Sequence, residues 1–116
     1  MDMPDQIYNL QVEVLNKNEE QGKVSDEISK LEAKIKAEIN AATDANGKKL
    51  FSNAEMREAE LVERTSGDLE ITSLKEKKEA LTNEIATLRL KVELLNNKQR
   101  NARTLLEFFA ANKDSI

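Results

Sequence analysis

Two stretches of the chain carry apolar residues at alternating intervals of three and four positions, the pattern of helices that pack along a seam. The first stretch runs from Ile7 to Ala42, and the second runs from Ile71 to Phe109. The first has polar residues at three seam positions: Lys17, Gln21 and Glu38. Because an apolar stripe must be buried against something, each stretch predicts a long helix that needs a partner.

Signals that end and restart helices lie between the two stretches. Asn46-Gly47 is typical of a turn, because both residue types tolerate positive φ. Ser52 and Glu55 have the spacing of a capping box and predict a short helix that begins beside them. We therefore predict one domain, residues 1–116, with helices over about 4–43, 53–65 and 68–112, a turn over 44–52, and Ser66 or Asp68 as the last cap.

A connection of this length lets the two long helices fold back on each other. The predicted fold is all-α: a long antiparallel two-helix coiled-coil hairpin with a short helix in its elbow. If the long helices end flush, Pro4 lies near Asn112. That alignment predicts a polar core layer that fixes the register, formed by Lys17, Gln21 and Gln99. Fraying or kinking is the alternative, since Gly22 costs a helix interior about 1 kcal/mol relative to Ala.

Several large apolar residues lie off the primary seam, toward the open end of the predicted hairpin. A helix that is apolar on two sides needs a second partner, and closed homodimers are the commonest oligomers. We therefore predict a dimer in the form of a four-helix bundle, with an interface that contains Val12, Leu15, Leu90, Leu94, Leu105 and Phe108. The alternative is a monomer whose apolar patch binds a different protein.

The composition argues against catalysis and against metal binding. The chain has no Cys and no His, which removes thiol nucleophiles, imidazole bases and most transition-metal sites. Its carboxylates alternate with lysines on helix exteriors, where solvated pairing is the ordinary explanation. The stretch "DANGKK" resembles part of a calcium loop but has Asn53 where a bidentate Glu is required. We expect no enzyme activity, no cofactor and no metal.

The ends and the charge of the chain bear on its location. The N-terminal stretch "MDMPDQIYNL" has neither a positive leader nor an apolar core, and no run is long enough to cross a bilayer. The net charge of −4 is modest. We therefore expect a cytoplasmic protein without a membrane partner.

A cluster of cations in the last helix is the one basic feature. Five cations stand against the single acid Glu93 between Leu88 and Arg103, and they are candidates for phosphate contacts: Arg89, Lys91, Lys98, Arg100 and Arg103. The alternative is that they solvate the helix and pair across the hairpin with Glu13, Glu19 or Glu20.

Residues 47–95 contain a Gly-Lys turn, a helix start with Ser52, Asn53, Glu55 and Arg57, and a Leu-rich final helix that bears Lys and Arg. In these features the chain resembles small helical-hairpin proteins of bacteriophages and prophages. Genes for such proteins often lie beside recombination and single-strand-binding functions. The resemblance implies an accessory role in DNA metabolism, and it assigns no functional residue.

Three functional hypotheses follow. The first is a dimeric, non-enzymatic scaffold that binds another protein through the elbow and its short helix. The second is an accessory protein of DNA recombination that binds single-stranded DNA through the basic face of the last helix. The third is an inhibitor whose acidic helix occupies a nuclease channel, with Glu19, Glu20, Asp26 and Glu27 in place of DNA phosphates.

Overall fold

Helices account for nearly all of the regular structure. The computed structural model describes residues 3–112, in which α1 spans Met3–Ala41, α2 spans Ala54–Gly67 and α3 spans Leu69–Asn112. In these residues the only β-type pairing is an isolated antiparallel bridge between Thr43 and Lys49. The prediction of an all-α hairpin, with two long helices and a short one between them, is confirmed.

The chain divides into two compact units that share the long helices. Unit 1 comprises Met1–Glu19 and Thr82–Ile116, and unit 2 comprises Glu20–Leu81. Within residues 3–112, none of the helices has an apolar stretch sufficient to cross a bilayer.

Unit 2 is built around isoleucine. Ile35, Ile39 and the fully buried Ile71 form one cluster, against which Leu31, Phe51 and Leu61 pack. A second cluster joins Val24 and Ile28 of α1 to Leu81 of α3, with Leu74 beside it. Positions that rise along α1 meet positions that fall along α3, so the two helices pack antiparallel.

One seam position near the elbow differs from the prediction. The regular spacing placed Glu38 on the seam, but Glu38 is exposed and Ile39 is buried in its place. A spacing of four from Ile35 turns an apolar residue toward Ile71. Burying the Glu38 carboxylate there would cost desolvation without a partner.

The turn after α1 is held by Asp44. The Oδ1 atom of Asp44 accepts hydrogen bonds from the backbone N–H groups of Asn46, at 2.8 Å, and Lys48, at 3.0 Å. Gly47 has φ of 81°, a left-handed conformation that glycine adopts without strain. The acidic residue of "DANGKK" therefore has a structural task, which is to close the turn.

The start of α2 corrects the predicted capping box. The N-cap is Asn53, whose Oδ1 accepts from the backbone N–H of Met56 at 2.8 Å. The Ser52 hydroxyl instead contacts Met56 Sδ at 3.8 Å. Asn is as good a cap as Ser, and sequence spacing alone did not separate the two neighbours.

A single residue separates α2 from α3. The backbone N–H of Asp68 donates to the Thr65 carbonyl, which closes α2. Its side-chain Oδ1 accepts from the backbone N–H of Ile71 at 2.9 Å, which caps α3. Of the two predicted caps, Asp68 is the one that the structure uses.

In unit 1 the two long helices also pack antiparallel. Ile7, Ile85 and Leu88 are buried, and a groove brings Val14 of α1 beside Arg89 and Val92 of α3. Lys17 Nζ forms an ion pair with Glu84 Oε2 at 2.7 Å.

This register corrects the predicted polar layer. The flush alignment placed Lys17 opposite Gln99, whereas Lys17 pairs with Glu84, roughly two heptads away. Lys17 and Gln99 therefore share no layer. The prediction of a layer formed by Lys17, Gln21 and Gln99 is wrong, because the long helices do not end flush.

Candidate interaction surface

The register of unit 1 leaves the end of α3 without α1 beside it. Val14 lies beside Arg89 and Val92. Because the two helices are antiparallel and Met3 precedes Val14 by eleven residues, Met3 lies level with about residue 100 of α3. Every residue from Arg100 to Asn112 is exposed. We call residues 101–112 the α3 overhang. At about 1.5 Å per residue it is roughly 18 Å long.

The α3 overhang is rich in large apolar side chains. Leu105, Leu106, Phe108 and Phe109 are between 57% and 70% exposed. The rings of Phe108 and Phe109 stack edge to face, with centroids 5.9 Å apart. A helical segment that is apolar on several sides is normally buried, so this one lacks a covering partner within the described chain.

Two overhang residues contradict the predicted hairpin seam. The spacing placed Leu106 and Phe109 on the seam with α1, yet their exposed fractions are 70% and 65%. The seam pattern of α3 continues beyond the point on α3 that lies level with Met3, where α1 begins. Sequence spacing identified the apolar stripe of α3, but it could not show that α1 does not extend beside Leu106 and Phe109.

All six side chains of the predicted dimer interface lie in unit 1 and are exposed: Val12, Leu15, Leu90, Leu94, Leu105 and Phe108. At about 100° per residue, Leu90, Leu94 and Phe108 lie roughly 150° around α3 from its seam, and Leu105 lies roughly 70° from it. The structure thus places them on outer surfaces. Their contact with a second copy stays a prediction.

A matching stripe on α1 includes a residue that the sequence did not single out. Tyr8, 65% exposed, extends Val12 and Leu15 into a stripe with spacings of four and three. We call these three residues the α1 outer stripe. It lies roughly 150° around α1 from the seam that contains Ile7 and Val14. The amphipathic spacing of Tyr8 was visible in the sequence and was overlooked.

The five candidate cations do not share one face. All are exposed, and within residues 3–112 none forms an ion pair, so the predicted pairing with acids of α1 is wrong. At about 100° per residue, Lys91 and Lys98 lie roughly 160° around α3 from Arg89, Arg100 and Arg103. The apolar residues Leu90 and Leu94 lie between the two groups.

The elbow in unit 2 offers a shallow groove and little exposed apolar surface. The groove is about 230 Å³ in volume, and Lys36, Asn40 and Arg57 contribute to its wall. Pockets that hold drug-sized ligands begin at roughly 300 Å³. On the outer side of α2, Met56 and Val62 are exposed.

The acids of α1 do not converge. Glu20 reaches Lys77 at 3.6 Å and Glu32 reaches Lys75 at 3.7 Å, which are solvated ion pairs. In the part of the chain that the structure describes, no three acidic residues are grouped in a way that could hold a metal ion.

Comparison with known proteins adds no further guide to the surface. Neither a protein-family model, nor a curated protein, nor a solved structure matches the chain.

Proposed function

We propose that the chain is a non-enzymatic coiled-coil interaction protein of the cytoplasm that acts as a homodimer assembled through unit 1. The observation that carries the proposal is the α3 overhang, where four large apolar side chains project from a helix that nothing else in the described chain covers. Such surfaces on soluble proteins mark interaction sites.

The distribution of exposed apolar side chains supports this choice of unit. Of the large apolar residues that are exposed in residues 3–112, nine lie in unit 1 and four lie in unit 2. The four in unit 2 are Leu50, Met56, Val62 and Leu69. The elbow would then remain free for a different protein, as a scaffold requires.

Size-exclusion chromatography with light scattering tests the dimer. We expect twice the chain mass for the natural protein and the monomer mass for a variant in which Leu105, Leu106, Phe108 and Phe109 are all replaced by Gln. Gln is chosen because it keeps helix propensity high and carries no charge.

The matched control changes exposed apolar residues in unit 2. Met56→Gln with Val62→Gln should leave the mass at that of the dimer, because α2 takes no part in the proposed interface. A natural protein that is monomeric at every concentration would remove the proposal.

A second candidate function is binding of single-stranded DNA, as the likeness to phage helical hairpins implies. The observation in its favour is that the five cations of α3 are exposed and form no ion pair within residues 3–112. Their division between two sides of the helix weakens it, since one strand contacts one face.

Fluorescence anisotropy with a labelled single-stranded oligonucleotide tests this candidate. Binding should fall steeply with salt and should be lost in Arg100→Glu with Arg103→Glu. The control, Lys30→Glu with Lys34→Glu, makes the same charge change at exposed positions of unit 2. Equal loss in both variants would indicate only a dependence on net charge.

A further inference from the structure

We infer that two copies join end to end, and that the α3 overhang of each copy packs on the α1 outer stripe of the other. The inference rests on the proposed homodimer and specifies which surfaces meet. Each copy offers one apolar surface that extends beyond α1 and one that lies on the far side of α1.

The direction of the overhang fits this arrangement. The seam side of α3, which faces α1 within one copy, continues into the overhang through Ala102, Leu106 and Phe109. Among the described residues 3–112, this side of α3 is exposed beyond Met3 of its own α1, and a second α1 fits there along the same line. The apolar seam of α3 is then covered by two successive α1 helices, one from each copy.

The position of the α1 outer stripe fits as well. The stripe lies roughly 150° from the seam of α1, so a helix packed on it sits on the side away from the copy's own α3. Each α1 is then held between its own α3 and the overhang of the partner. A two-fold axis between the two N-terminal ends of α1 relates the contacts, which makes the assembly closed rather than filamentous.

The lengths of the two surfaces agree. The seam-side residues of the overhang, from Ala102 to Phe109, span about 10 Å, and so does the α1 outer stripe from Tyr8 to Leu15. A two-fold arrangement therefore covers both surfaces at once without leaving a long uncovered end.

The charges at the start of the overhang are opposite to those of the first turns of α1. Residues 3–16 of α1 contain two acids, Asp5 and Glu13, and no cation. Residues 97–106 of α3, at the start of the overhang, contain three cations, Lys98, Arg100 and Arg103, and no acid; the overhang itself contains Arg103 and one acid, Glu107. Opposite charges along the edges of an apolar contact favour that pairing over others.

The same charges disfavour the main competing dimer. Antiparallel packing of α3 on α3 through its outer side would pair Leu94 with Phe108 of the other copy and centre the contact near residue 101. It would bring Lys98, Arg100 and Arg103 of both copies into the same short segment. Like charges facing each other across such an interface are repulsive, so α1 is the better surface.

Two double variants on neighbouring positions separate the two sides of the overhang. Leu106→Gln with Phe109→Gln should convert the dimer to a monomer in light scattering. Leu105→Gln with Phe108→Gln makes the same change in composition within the same turns, on a face centred roughly 100° away around the helix, and should leave the dimer intact. The reverse result would overturn the inference in favour of α3 on α3.

Cross-linking fixes the pairing directly, because the natural chain has no cysteine. Val12→Cys and Ala110→Cys are small changes at an outer-stripe position and at the seam side of the overhang. A short bismaleimide should link the two variants when they are mixed, and should link neither variant to itself. In the inferred dimer, each cysteine lies more than roughly 20 Å from its own copy in the partner.

The outcomes separate this inference from the proposed function. A dimer in which Ala110→Cys or Val12→Cys links to itself, or in which the mixture does not link, keeps the homodimer and overturns the end-to-end pairing. A natural protein that is monomeric overturns both.

Discussion

The two units use the same pair of helices but finish their cores differently. In unit 2, Leu61 of α2 and Phe51 of the turn before it pack against the seam cluster around Ile71, which is fully buried. The described residues of unit 1 belong only to α1 and α3, and their outer surfaces keep aromatic and leucine side chains exposed. The difference teaches that two helices bury one seam, and that a second apolar side needs a further helix.

The two units also differ in whether they cover their own apolar surfaces. Unit 2 supplies its own third helix and needs nothing from outside to cover its isoleucine clusters. Unit 1 has apolar surface left over, which is the condition under which a second chain stabilises a fold. The predictions below test that contrast, from the largest expected effect to the smallest.

The largest loss of stability should come from the core of unit 2. Ile71→Ala removes a fully buried side chain from the cluster with Ile35 and Ile39, and should cost about 2–5 kcal/mol in the free energy of unfolding. Chemical denaturation followed by circular dichroism measures it. Leu69→Ala is the control: Leu69 is 86% exposed, and the change should stay within about 0.5 kcal/mol.

The second prediction concerns concentration. Hydrogen exchange of the backbone amides in residues 101–112 should accelerate when the protein is diluted below the dimer dissociation constant, because a lone helix end frays. Amides of unit 2 around Ile39 and Ile71 should exchange at the same rate before and after dilution. Equal acceleration in both units would break the contrast between them.

The third prediction tests which residue begins α2. Asn53→Ala removes the side chain that accepts from the Met56 N–H, and should destabilise the protein by about 1 kcal/mol. Ser52→Ala, one residue earlier, should cost less than about 0.5 kcal/mol, since Ser52 caps no backbone group there. A larger loss of stability for Ser52→Ala than for Asn53→Ala in thermal melts would indicate that Ser52 caps α2, as the spacing predicted.

The smallest effect should come from the ion pairs on the surface. A double-mutant cycle on Lys17 and Glu84, at 2.7 Å in unit 1, should give a coupling of about 0.2–1 kcal/mol that shrinks in high salt. The pair Lys75 and Glu32 in unit 2, at 3.7 Å, should couple less. A coupling above that range at Lys17 would indicate that the pair is shielded from solvent by a second copy.

Much of the fold could be predicted from local sequence signals. The helix bounds lie within two residues of the predicted ones, because caps, Gly47 and seam spacing act over a few residues. The burial of Ile39 in place of Glu38 on the seam was not predicted. Strict alternation of three- and four-residue spacings ignores a local change of spacing near the elbow.

The interaction surface was predicted only in part. Apolar residues off the seam were identified from helical spacing, and the structure leaves them exposed. Leu106 and Phe109 were assigned to the hairpin seam, and their exposure follows from where α1 begins relative to α3. The cations of α3 were grouped by their closeness in sequence, whereas the helix divides them between two sides.

By itself, the sequence determined three helices, the turn at Gly47 and most of the apolar seams. Only the tertiary structure decided the register in which α1 and α3 pack, and with it the α3 overhang. The physical reason is that a heptad pattern repeats: moving one helix past the other by seven residues presents nearly the same apolar stripe. In unit 1, the placement of Val14 beside Arg89 and Val92 and the Lys17–Glu84 ion pair define one register, and the apolar side chains of α3 beyond it become the surface.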